Sequence, residues 1–154
     1  MHFSPNEFYH IYNRGNNKQR IFFNDKNYIF FLKKVRDQLL PVSEIVSYCL
    51  MPNHFHFIIR TTENSIKERP SFGGKPMQEL PYRIGILMSS YAQAINKQNG
   101  SIGSLFQQKT KAKILHEEVD GGRQSYLENC FFYIHQNPLE AGLVNDLSKW
   151  PYSS

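Results

Sequence analysis

Along the chain the spacing of apolar positions switches between a two-residue and a 3.6-residue period, and each switch marks an element. Phe8-Tyr9-His10-Ile11-Tyr12 is aromatic and β-branched and predicts a first strand, ended by the turn-forming run Asn13-Arg14-Gly15-Asn16-Asn17. Asp25 is a capping residue type, and Tyr28, Phe31, Leu32, Val35 and Leu39 then form one stripe of a helix that Pro41 stops after Leu40. Glu44 to Met51 predicts a second strand, Pro52-Asn53 a tight turn, and His54 to Arg60 a third strand antiparallel to the second. Residues 62–80, with Asn64-Ser65, Pro70, Gly73-Gly74 and Pro76, read as a long flexible loop within one domain spanning 1–154. Pro81 suits a helix start, and Ile84, Leu87, Met88, Tyr91 and Ile95 carry the helical period to Asn99-Gly100. Phe106 to Leu115 predicts a fourth strand with Lys109, Lys111 and Lys113 on one face. After Asp120-Gly121-Gly122 a last helix runs from Ser125 to Asn137, where Pro138 is expected to stop it.

That order, β-α-β-β-α-β and then a helix, predicts an α+β class and a ferredoxin-like antiparallel sheet. Two helices cover one face, and the C-terminal helix is added to this frame. The first and third strands are central in this topology, so His54-Phe55-His56 falls mid-sheet. Alternation in a strand puts His54 and His56 on one face and turns Phe55 and Phe57 to the helix-covered one.

Composition narrows the class. Among 154 residues there are 9 Tyr, 12 Phe and 1 Trp, an apolar load that a disordered chain does not carry. No apolar run approaches the roughly 20 residues of a bilayer span, and the N-terminus lacks a basic-then-apolar leader, so a soluble cytoplasmic protein is expected. Cys49 and Cys130 lack CxxC spacing, which points away from a disulfide framework or a thiolate zinc site. The formal net charge is +5, unevenly spread. Residues 1–116 hold 16 Lys and Arg against 7 Asp and Glu, whereas residues 117–154 hold 2 against 6. A basic body with an acidic end implies a polyanion footprint on one side.

Two neutral imidazoles at i, i+2 of a strand can grip one divalent cation, provided further ligands and an open position exist. The last helix offers one. Leu127, Cys130, Phe131 and Ile134 should face inward, which leaves Tyr133 and Asn137 as neighbours one turn apart on a flank. A phenol with an amide one turn later sets a nucleophile beside an oxygen ligand. Tyr126 is the rival nucleophile, Gln136 the rival ligand, and His135 is expected at the surface. Imidazole binds a cation only when neutral, so activity should fade below about pH 6.5. For nucleic acid, Arg14, Lys18, Arg20, Lys109, Lys111 and Lys113 are the candidate contacts, with Tyr12 available to stack on an unpaired base.

Several of these strings resemble a known family. Tyr9-His10-Ile11 leading to Arg14-Gly15-Asn16-Asn17, and Leu50-Met51-Pro52-Asn53-His54-Phe55-His56, resemble the single-tyrosine HUH transposases. Leu105-Phe106-Gln107, Tyr133-Ile134-His135-Gln136-Asn137-Pro138, Ala141-Gly142-Leu143-Val144 and Trp150-Pro151-Tyr152-Ser153-Ser154 are similar to their REP-associated tyrosine transposase branch, related to insertion-sequence-200-like transposases. The resemblance implies a ferredoxin-like fold, cleavage and rejoining of single-stranded or hairpin DNA, and a divalent ion, Mg or Mn. It assigns His54 and His56 to the metal, Tyr133 to nucleophilic attack through a 5′-phosphotyrosine, and Asn137 to a position where insertion-sequence enzymes carry a metal-binding glutamine. Monomeric and homodimeric action are both compatible with it. The other readings of the same residues are a non-catalytic single-stranded nucleic-acid-binding domain, a metal phosphodiesterase that uses water, and an inactive relative that only binds repeats.

Overall fold

The computed structural model describes residues 1–70, 73–115 and 125–154. The expected turn at Asp120-Gly121-Gly122 lies outside the described residues. In chain order the elements are β1 (Phe8–Arg14), α1 (Asp25–Gln38), β2 (Ser43–Met51), β3 (His54–Thr61), α2 (Glu63–Ile66), β4 (Glu68–Arg69), β5 (Met77–Gln78), α3 (Glu79–Asn99), β6 (Lys111–Leu115) and α4 (Tyr126–Glu140). The main sheet has four antiparallel strands in the order β2-β3-β1-β6, the ferredoxin-like arrangement with β1 and β3 central.

Alternation divides the sheet cleanly. Tyr9 and Ile11 of β1, Leu50 of β2 and Phe55, Phe57 and Ile59 of β3 point to the face covered by α1 and α3, where they pack with Phe31, Val35, Leu87 and Tyr91. The opposite face carries a smaller apolar cluster, Cys49, Met51, Ile58 and Leu115, closed by Cys130 and Ile134 of α4. α4 packs mainly over β2 and also meets β6 at Leu115 and Lys113, while a cleft at the hairpin-tip end of that face stays open. Both cysteines are free and buried, and burial pushes the Cys49 thiol up to about 12.

Several boundaries differ from expectation. The cap of α1 is Asn24, whose side chain accepts from the Asn27 N–H; Asp25 follows it and accepts from the Tyr152 hydroxyl at 2.5 Å. The helix α3 begins at Glu79, ahead of Pro81, because a proline in the first turn forfeits no intrahelical bond. The stretch 62–80, expected as a loop, contains α2 and the β4–β5 pair. Gln78 ties it to the N-terminal segment through bonds to both backbone groups of Phe3.

The fourth strand is shorter than Phe106–Leu115. The buried Asn13 amide donates to the Gln107 carbonyl at 3.2 Å and to Thr110 Oγ1 at 3.0 Å, so a side chain occupies the place of the ladder before Lys111. Pro138 does not stop α4. It is buried within the helix on the Cys130–Ile134 row, so packing offsets the missing N–H; the chain turns at Gly142, whose φ is +67°. Phe131, expected inside, is 39% exposed, since α4 buries only a narrow row.

The segment after α4 returns across the molecule as a strap along β2. Trp150 Nε1 donates to the Leu50 carbonyl at 3.0 Å, and Tyr152 stacks on Tyr28 with centroids 3.8 Å apart. Leu50 N–H donates to the Tyr152 carbonyl at 2.9 Å, alongside a bridge between Ser153 and Cys49.

Candidate active site

The site lies on the α4 face of the sheet, at the tip of the β2–β3 hairpin. That tip is fixed from outside: the Pro52 carbonyl accepts from Ile21 and Phe22 N–H at 2.8 and 3.1 Å, and the Asn53 carbonyl from Gly15 N–H at 2.8 Å. Gly15 has no substitute here, because a Cβ would collide with the backbone oxygen of Gln19. The turn that follows holds Lys18 at φ +60°, a conformation that costs a non-glycine residue roughly 1 kcal/mol or more.

His54 and His56 stand side by side, with ring centroids 5.0 Å apart. His54 Nδ1 lies 2.7 Å from Asn53 Oδ1, an acceptor, so the proton sits on Nδ1 and Nε2 keeps its lone pair. The Asn137 side chain is hydrogen-bonded to the same ring, while its Nδ2 donates to the Tyr133 carbonyl at 2.7 Å. Gln136, the rival ligand, is exposed on a neighbouring face. His56 is 5% exposed; its Nδ1 lies 2.8 Å from His10 Nε2, and its own Nε2 is buried with no hydrogen-bond partner among the described residues. The Tyr133 ring packs edge-on against His56 with centroids 5.7 Å apart, and it is 49% exposed.

Asn53, His54, His56 and Tyr133 line a cleft of about 450 Å³ together with Tyr12, Arg14, Lys18, Lys109 and Lys111; Asn137 is not in its lining. No acidic side chain lines it among the described residues. An uncompensated basic wall suits an anion such as a phosphodiester. Arg20 lies apart from this cleft, next to Tyr28. Lys113 lies in an adjoining cleft of about 380 Å³ with His10, Tyr12 and Tyr126, where its ammonium engages the Tyr126 hydroxyl. Tyr126, the rival nucleophile, is therefore already partnered and is not among the residues around His54. His135, expected at the surface, is half-buried and hydrogen-bonds the Phe131 carbonyl at 2.8 Å and Ser154.

Burial sets the protonation of the imidazoles. It lowers His56 to about 3, with His10 and His54 adding to the effect, and lowers His10 to about 4, helped by Lys113. His54 is also lowered by burial, against the opposing bond from Asn137 and with a contribution from Arg14. Burial thus keeps His10 and His56 neutral below the range of a free imidazole and pushes His54 in the same direction.

The residues fit a divalent cation. They offer a buried, partnerless His56 Nε2, a His54 Nε2 whose other nitrogen is held by Asn53, and an amide oxygen one turn from the phenol. Among the described residues no group of three or more His, Cys, Asp and Glu side chains is arranged to hold a metal; the candidate donors are two imidazoles and an amide. Sequence reasoning missed Asn53, Asn13 and His10. Asn53 directly precedes the histidine it holds, a neighbour signal that was present; the other two act across strands.

The comparisons with known proteins agree with the motifs. No family model matches the chain. A putative REP-associated tyrosine transposase of Haemophilus influenzae is 23% identical over 120 residues, covering 72% of this chain and 58% of that protein. The chain thus matches little more than half the length of that relative. A solved structure described as the REP-associated tyrosine transposase bound to a REP hairpin superposes with a TM-score of 0.67 and 17% identity, over 99% of this chain and 79% of that one. The chain resembles the REP-associated tyrosine transposases. The second match shows the shared fold, and the first shows the likeness in sequence. Among the described residues no helix is long and apolar enough to cross a membrane.

Proposed function

We propose that the chain is a metal-dependent DNA strand transferase that cleaves and rejoins single-stranded or hairpin DNA with Tyr133 as its nucleophile. The observation that carries this reading is the packing of Tyr133 against His56 in a basic cleft lined by two imidazoles, one of which has a buried, partnerless Nε2. A phenol is a weak nucleophile, with an ordinary pKa of about 10, and needs a positioned, activated electrophile. A divalent ion, Mg or Mn, held by His54, His56 and Asn137 would supply that activation by polarising the phosphate.

The chain's own residues do the rest. Arg14, Lys18, Lys109 and Lys111 bind the backbone phosphates, and Tyr12 offers a ring face to an unpaired base. The Asn137 bond to the Tyr133 carbonyl ties the ligand and the nucleophile to one helical turn, so they keep a fixed spacing. Tyr133 Oη forms a bond to phosphorus and the P–O3′ bond breaks. The phenolic proton passes to solvent in the cleft, and the leaving 3′ oxygen takes one from water. The product is a 5′-phosphotyrosine and a free 3′-OH. Because the phenolate is a tolerable leaving group, a 3′-OH can reverse the step and reseal the strand without ATP. An extended or looped strand is favoured over duplex because its backbone can bend into the cleft.

Labelled hairpin oligonucleotides incubated with protein and Mn²⁺, then run on a denaturing gel, test the reading. A covalent adduct that disappears in Tyr133→Phe is expected. Cleavage without an adduct would favour a water nucleophile, and binding without cleavage a plain binding domain.

A further inference from the structure

A metal-binding imidazole must present a lone pair, so a neutral ring needs its single proton on the other nitrogen, where an acceptor holds it. For His54 that acceptor is Asn53 Oδ1, at 2.7 Å. For His56 the group facing Nδ1 is His10 Nε2, at 2.8 Å. The two nitrogens share one proton, so one ring donates and the other accepts. Were His10 the donor, the His56 proton would sit on Nε2, which is buried and has no partner among the described residues to receive it. The opposite arrangement leaves no unpaired N–H on His56 and keeps its Nε2 bare.

His10 is built to hold this role. It lies in the central strand β1, two residue pairs along from the position opposite His56 and on the same face: His10 pairs with Ile58 and Tyr12 with His56. It is 8% exposed and sits in a triangle of rings, with centroids 4.6 Å from Tyr12 and 5.0 Å from His56, which are themselves 6.0 Å apart. Burial and these two neighbours restrict the ring.

We infer that His10 is a positioning residue: it accepts the Nδ1–H of His56, fixing the tautomer and ring angle that aim His56 Nε2 at a divalent cation in the cleft. This rests on the reading of His54 and His56 as metal ligands. Removal of such a supporting partner typically weakens metal affinity by about 10- to 100-fold.

The first test needs no substitution. Long-range ¹⁵N–¹H spectra of the metal-free protein should show His56 protonated on Nδ1 and bare on Nε2; the opposite tautomer would overturn the inference. Calorimetric titration with Mn²⁺ alone should show His10→Leu weakened about 10- to 100-fold and His10→Gln, whose amide oxygen can accept in place of Nε2, largely restored. Thermal melts report whether each variant is folded. If His10→Leu binds Mn²⁺ like the unsubstituted protein while His54→Ala does not, the inference fails and the metal reading stands. If His54→Ala and His56→Ala also bind unchanged, the metal reading fails and takes this inference with it.

Discussion

The two faces of the main sheet are made by alternate residues of the same strands, and their contrast separates stability from chemistry. Under α1 and α3, Phe31, Phe55, Phe57 and Tyr91 interlock with ring centroids about 5–6 Å apart. On the other face α4 closes only a small apolar cluster, and the clefts beside it hold three imidazoles, Tyr12 and the lysines of β6. The lesson is one of division: an apolar layer lets the strands hold buried, neutral histidines on their reverse side. A change on one face should therefore alter stability and leave chemistry, and a change on the other should do the opposite.

The sharpest break of that contrast pairs Phe57→Ala with Tyr133→Phe. The first removes a core ring and should cost about 3–5 kcal/mol in denaturant unfolding. The second, at a half-exposed ring, should stay within about 0.5 kcal/mol while abolishing the DNA adduct.

Acid comes next in size. His56 and His10 have folded-state pKa values of about 3 and 4, below their ordinary value of 6.5, so the unfolded chain takes up their protons first. Their contribution to stability is complete above pH 6.5 and is lost as pH falls towards 3, at up to about 1.4 kcal/mol per pH unit for each ring. Unfolding measured at pH 7, 5.5 and 4.5 should give a steeper decline for the unsubstituted protein than for His56→Gln. Equal slopes would mean that the imidazoles are solvated.

Trp150→Phe keeps the ring contact with Tyr28 and deletes the bond to the Leu50 carbonyl. A loss of about 0.5–1.5 kcal/mol is expected, read as a lower melting temperature. The smallest effect belongs to Lys111→Ala. Stability should hold, while the salt dependence of single-strand binding, taken as the slope of log K against log salt, should fall by about 0.7 for one lost phosphate contact. An unchanged slope would remove Lys111 from the DNA interface.

Much of this was readable because it is local. The i, i+2 spacing put His54 and His56 on one face whatever the fold, and the i, i+4 spacing made Tyr133 and Asn137 neighbours once α4 was recognised. The alternation of β3 likewise announced its buried phenylalanines. What escaped was set by surfaces meeting across long separations. His10 looked like one more strand residue, because nothing near it in sequence signals a partner 46 residues away. Phe131 read as core because it continues an apolar stripe, yet α4 buries only the row Cys130, Ile134 and Pro138. The early end of the fourth strand follows from Asn13, whose amide reaches residues 94 and 97 positions on.

The chain's own order of residues therefore determined the elements, their buried faces and the two short motifs, since periodicity and neighbour spacing act within a few residues. The tertiary structure alone decided where the α4 face stays open as a cleft, that Tyr133 lies against His56, and that His10 stands behind it. Those outcomes depend on how α4 and the C-terminal strap lie across β2, and that is settled by packing between surfaces no local pattern specifies.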